Sequence, residues 1–199
     1  MHVTFFEGDQ TNCFPCATHD FSWEGLQKSY RIMGEKAPGA AKASRGYAIF
    51  ARLRPATGES LARIQFRRRQ RGNKGWSPSI DQRAAALRYG YRDSTHLVEA
   101  TALVCDYDEN PGVPPTWDPA DWPCAVFAHS THSYHPVEAP GRWRVIIPLM
   151  EPIPVEEYDV VRKAIQPLLP PGAIVRAAHQ PAYLPTCPAG MEIEYATFS

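Results

Sequence analysis

What this 199-residue chain lacks narrows what it can be. No apolar run approaches the eighteen or so residues that span a bilayer, and the opening MHVTFFEGDQ has neither a basic leader nor an apolar signal-type segment. The sequence therefore reads as intracellular and cytoplasmic, with no membrane partner. Its five cysteines, at 13, 16, 105, 124 and 187, are odd in number and not spaced like a secreted disulfide framework, so reduced thiols are expected. Cys13, Cys16 and His19 in NCFPCATH stand at metal spacing, but no second close pair completes a tetrahedral site; a surface turn is expected there, not zinc. Net charge is absent too, with 21 Lys+Arg against 21 Asp+Glu, and there is no internal repeat or low-complexity tract.

What is present begins with enough apolar residues, 44%, to bury a real core in one domain. Twenty prolines gather mainly after residue 110, in ENPGVPPTWDPADWP, HPVEAPG, PLMEPIP and QPLLPPG. Runs of Trp, Val, Ile and Leu separate these segments, which makes them rigid turns between short elements. The zero charge conceals a division: Lys42 to Arg92 holds 13 basic and 2 acidic residues, net +11, whereas Asp93 to the end holds 5 basic and 14 acidic, net −9. The basic block centres on RIQFRRRQRGNKGW, with Phe66 and Trp76 interleaved. Arg67, Arg68, Arg69, Arg71, Lys74 and Arg92 are the candidate contacts to a phosphate backbone, with aromatic faces available to bases.

The element pattern is mixed. SWEGLQKSYRIMG (22 to 34) has a Ser cap and apolar residues at three- and four-residue spacing, which predicts a helix ending at Gly34. YAIFARL (47 to 53) and LARIQFR (61 to 67) read as strands, the second through its alternation, and 77 to 90 as a helix stopped by Gly90. Strands are expected over 95 to 108, 123 to 131 and 142 to 149, a helix over 154 to 169, and a strand and turn over 182 to 188, with MEIEYATF alternating after it. This order predicts an α/β (α+β) plait: a mainly antiparallel sheet with helices packed on it.

Two constellations carry chemistry. In ALVCDYDEN, Asp106 and Asp108 lie one residue apart on an extended segment, so period two turns both carboxylates to one side, the geometry that bridges hard divalent cations such as Mg or Mn. A polar Asx-type turn after a buried strand is the plainer reading. In FAHSTHSYHPVEAPGRWRVIIPL, His129, His132 and His135 recur every three residues among Ser130, Thr131 and Ser133, and Arg142 and Arg144 follow. Such groups can orient a triphosphate, with arginine supplying bidentate contact, although His129 alone reads as a satisfied strand residue.

WSP (76 to 78), GYR (90 to 92), ALVCDYDEN, HSTHSYHPVEAPGRWRVIIPL and EPIPVEEY, in that order, resemble primase-polymerases of the archaeo-eukaryotic primase superfamily, in the plasmid and phage replication branch. The resemblance covers about residues 70 to 185. It implies one catalytic domain: an RRM-like antiparallel sheet over about 93–199 beside a smaller basic αβ module over about 1–92, with the active site in the cleft between them. It also implies Asp106 and Asp108 as ligands of two Mg or Mn ions. The family's Ser-x-His motif falls on Ser133 and His135 or on Ser130 and His132, and Arg144 and Arg142 become nucleotide contacts. Single-stranded DNA template and nucleoside triphosphates would be partners, a helicase domain or protein a further one, and a bacterial or phage-infected cell the setting.

One departure stands out. The third catalytic carboxylate is expected in AIVRAAHQPAYLP, where Ala177 and Ala178 stand, with Glu192 or Glu194 as conceivable substitutes. The expected function is therefore primer synthesis or extension by two-metal nucleotidyl transfer, impaired if that carboxylate is missing. The alternatives are a catalytically inactive DNA- and nucleotide-binding replication module, and a metal-dependent phosphoesterase built on the histidines.

Overall fold

A computed structural model describes residues 1–8, 11–35, 46–107 and 112–198. Among these residues the chain is a mixed α+β structure with four α-helices and two antiparallel sheets. None of the described helices is long and apolar enough to cross a membrane.

The smaller sheet runs in the order β2 (Pro15–Asp20), β1 (His2–Phe6), β3 (Tyr47–Ile49), β9 (Ala182–Tyr183). The larger runs β10 (Tyr195–Phe198), β6 (Val126–Ser130), β7 (Trp143–Pro154), β5 (Leu97–Tyr107), β4 (Ala51–Leu53). β8 (Ile174–Val175) lies beyond β4 on the same edge of β5, opposite Cys105 and Asp106. Segments from both sides of residue 92 enter both sheets, through β9 in the smaller and β4 in the larger.

β5 is the central strand, and its alternation sorts side chains to two cores. Leu103, Cys105 and Tyr107 join Val145, Ile147, Val126 and Ala128 against Tyr158 of helix α4 (Val155–Ile165) and a tryptophan cluster. Trp117 there meets Trp143 edge-on at 4.7 Å and stacks on Trp122 at 6.0 Å, so the proline-rich stretch after residue 112 serves as the lid of one sheet face. Ala102, Val104, Phe127 and Ile146 face the other way, onto Leu26 and Tyr30 of helix α1 (Trp23–Glu35) and onto Val3 and Phe5. Asp106 shares the parity of Ala102 and Val104, so it too points to the α1 side.

Two expectations are corrected. Residues 61 to 67 are not a strand but the middle of helix α2 (Gly58–Gln70). Thr57 and Ser60 close a capping box, Arg67, Arg68 and Arg69 suit the C-terminal end of the dipole, and only Ile64 of that face is buried. The apparent alternation was misleading because Phe66, its last apolar residue, is 63% exposed. Nor is NCFPCATH a turn throughout, because Pro15–Asp20 pairs with β1 as the edge strand of the smaller sheet.

Helix α3 (Ile80–Tyr89) starts at the Ser79–Gln82 capping box and ends at Gly90, as its sequence suggests. Gly90 has φ +98°, and a Cβ there would lie 2.6 Å from both the Arg54 carbonyl oxygen and Leu53 Cβ. Gly90→Ala should therefore cost roughly 1–3 kcal/mol, read as a lowered urea midpoint with an unchanged slope; a midpoint equal to wild type would contradict this packing.

Candidate functional site

The large sheet carries a row of polar side chains on the α1 side. In register across three strands stand His129 on β6, Arg144 on β7 and Asp106 on β5. Arg144 grips Asp106 with two donors, Nε to Oδ1 at 2.7 Å and Nη2 to Oδ2 at 3.2 Å. Its Nη1 donates to the Tyr183 carbonyl at 3.3 Å, which ties the row to β9. Arg176, just past β8, brings Nε to 2.9 Å from Oδ2. Asp106 is 3% exposed and Arg144 7%. Burial alone would raise the Asp106 pKa, but the charge and hydrogen bonds of Arg144, with the charge of Arg176, hold it below its ordinary value.

His129 is fully enclosed beside this pair. Its Nδ1 lies 2.9 Å from the Ser130 carbonyl and is thereby assigned the proton, which leaves Nε2 an acceptor. Burial first, then the Arg144 charge, pushes its pKa down to about 4, so it is neutral at physiological pH. Its Nε2 has no hydrogen-bond partner among the described residues, and neither has the buried Tyr30 hydroxyl, whose ring centroid lies 6.0 Å away.

The row borders a polar cavity of about 80 Å³, lined by His129, His132, Ser133, Arg142, Arg144 and Tyr183 among others. This is several times the space of one water yet far below the ~300 Å³ where whole-ligand pockets begin. It suits a phosphoryl group better than a nucleobase. Of the two Ser-x-His alternatives, each contributes one residue here, Ser133 and His132. Ser130 instead accepts the Glu194 N–H at 2.9 Å, pinning the chain next to β10, and His135 Nδ1 accepts from the Val137 and Glu138 N–H groups to brace its own loop.

A second, larger hollow of about 480 Å³ brings together Arg67, Arg68, Arg71 and Arg92. Two of these donate to neutral groups of the chain. Arg68 donates to the Tyr91 hydroxyl at 3.0 Å and lies over the Trp76 ring; Arg92 donates to the Tyr47 hydroxyl at 2.9 Å and the His179 carbonyl at 3.2 Å. Among the described residues the one acid of the lining, Asp93, already carries Arg67, Thr95 and His96. Arg69 turns away to the Trp76 carbonyl, and Lys74 is exposed outside this lining. The segment after β8 borders both cavities, through His179 in one and Tyr183 in the other.

Sequence reasoning missed Arg176 and set His129 aside. The signal for Arg176 was present: it is one of five basic residues after Asp93, directly before Ala177.

Asp108 lies outside the described residues. Asp106 by itself does not fit a divalent ion, since both of its oxygens carry guanidinium donors, and no three His, Cys, Asp or Glu among the described residues come together as a metal-holding group. The three histidines do not converge, because His135 serves its loop. Glu194 accepts the Tyr134 hydroxyl at 2.6 Å and Glu192 lines a separate hollow beside α1, so neither joins Asp106. Cys16 is exposed, and Cys13 lies against Arg68 at 3.4 Å.

No protein-family model, no curated protein and no solved structure matches the chain.

Proposed function

We propose that this chain is a nucleotide- and single-strand-binding domain of the primase-polymerase kind, serving replication of a plasmid or phage. The observation that carries the reading is the pair of arginine-lined cavities, both bordered by the segment after β8. One is of phosphoryl size, with Arg142 and the anchored Arg144 beside His132 and Ser133; the other is lined by four arginines. The first suits the triphosphate of a nucleotide, since arginine donors and a Ser hydroxyl match phosphate oxygens. The second suits the backbone of a single strand, with the exposed Phe66, in a neighbouring hollow that shares Arg67, as a stacking face. The antiparallel β6-β7-β5 core between α1 and α4 is in keeping with an RRM-like sheet, and the cavities with a cleft beside it.

Arg142→Ala separates the two cavities. Losing a charge-assisted contact worth roughly 1.5–3 kcal/mol should weaken triphosphate binding by about 10- to 100-fold, measured by calorimetry, with anisotropy of a labelled oligothymidylate unchanged. Unaltered triphosphate affinity would remove the first cavity from the reading.

A second reading, primer synthesis or extension with Mg or Mn, is favoured by the placement of Asp106 near the end of β5 with Asp108 two residues on. Product from NTPs or dNTPs on single-stranded DNA that requires Mg or Mn and disappears in EDTA would establish it. No product with either ion leaves the binding domain.

A further inference from the structure

We propose that Arg176 takes the place of a cation at Asp106, so that this site holds nucleotide phosphates without a divalent ion and keeps Mg or Mn off the carboxylate. The proposal rests on the nucleotide reading above and adds to it the state of the acidic group.

The carboxylate is the starting point. A hard cation needs a carboxylate oxygen turned toward it with a lone pair to spare, and an ionised carboxyl has about four such positions in all. On Asp106, Oδ1 accepts from Arg144 Nε, while Oδ2 accepts from Arg144 Nη2 and faces Arg176 Nε at 2.9 Å. With the residue 3% exposed, little of it is left for an ion to approach.

Arg176 is brought there by backbone register. Asp106 pairs with Ile174 across β5 and β8, and the Arg176 N–H donates to the Val104 carbonyl at 2.8 Å. Its position beside Asp106 is thus set by the edge strand. The Arg176 side chain is 42% exposed against 4% for that of Asp106, so it reaches from the surface to a buried acid. An ordinary surface ion pair would have both partners in water and contribute little. Here two guanidinium groups share one carboxylate, and the trio keeps a net positive charge, which favours a phosphate and opposes a dication.

The full chain decides the matter in two measurements. In the first, Mn²⁺ alone is titrated and the free ion followed by electron paramagnetic resonance, for wild type, Arg176→Ala and Arg176→Asp. Wild type should take up no Mn²⁺ at micromolar concentration, whereas Arg176→Asp should bind it at least about 10-fold more tightly, a difference well within what one charge contact supplies. Micromolar uptake by wild type, or no gain in Arg176→Asp, overturns the proposal. Arg176→Ala, which only uncovers Oδ2, should fall between the two.

In the second, dATP affinity is compared in EDTA and in Mn²⁺. Wild-type affinities within about 3-fold of each other support the proposal, and an increase of about 10-fold or more with Mn²⁺ overturns it. If dATP binds in neither buffer, the nucleotide reading fails, while the Mn²⁺ titration still decides the place of Arg176.

Discussion

Asp106→Ala should destabilise the chain by roughly 3–5 kcal/mol, the usual cost of removing one partner from a buried ion pair. The loss comes less from the missing attraction than from what stays behind. Arg144 is 7% exposed, its Nε and Nη2 would lose their acceptors, and the guanidinium would remain charged in the core. For a domain of this size the melting temperature should fall by about 6–20 °C. A carboxylate kept only to bind metal behaves in the opposite way. Held near other acids, it repels them until the ion arrives, and its removal from the metal-free protein is neutral or stabilising. Thermal or urea denaturation in EDTA therefore separates the two roles, and an Asp106→Ala protein as stable as wild type would show that the pair contributes nothing.

Acid should produce the same loss in the wild-type chain. The folded pKa of Asp106 is lowered, because the charge and hydrogen bonds of Arg144 outweigh burial. Its contribution is thus complete above the ordinary carboxylate range and disappears as pH falls through the folded value. Asp106→Asn should be less stable than wild type at neutral pH and nearly match it in strong acid.

Much of this arrangement was legible in the sequence, for identifiable reasons. Helix α1 announces itself by its cap and apolar spacing, α3 by its Gly90 stop and α4 by the proline and acidic residues at its start, and β5, β6 and β7 by runs too apolar to stay exposed. Period two then aligns Asp106 with the apolar residues of the α1 side, and the Arg strand follows in order. Helix α2 was misread because seven residues of alternation outweighed a capping box that begins at Thr57. Strand β2 was missed because an edge strand need not be apolar, and PCATHD has only its first residue buried. Arg176 escaped for a different reason. Its partner is chosen by the register of β8, a strand of two residues, too short to leave any periodic trace. His129 was half understood: Nδ1 is satisfied, as expected of a strand histidine, but Nε2 is not.

The basic segment bears on function through a different term, long-range charge, and there the expected effect is as large. Replacing Arg67, Arg68 and Arg71 together by Gln should weaken single-stranded DNA binding by about 100-fold near 0.1 M salt and lower the salt slope by about two units, since each lost phosphate contact removes about 0.7 from the slope. These three share one cavity, whereas Arg69 is turned to the Trp76 carbonyl, so Arg69→Gln should do much less. Arg67 and Arg71 are exposed, whereas Arg68 also holds the Tyr91 hydroxyl and lies over the Trp76 ring, so a melting curve of the triple variant is read beside its binding. Phe66→Ala supplies the contrast. That ring is 63% exposed, and if a base stacks on it the loss should be roughly 1–3 kcal/mol with the salt slope intact. Salt-dependent anisotropy of the triple variant and of Phe66→Ala thus separates charge from stacking. A slope unchanged in the triple variant would mean that the arginines of this cavity do not meet the strand, whatever else the basic block attracts.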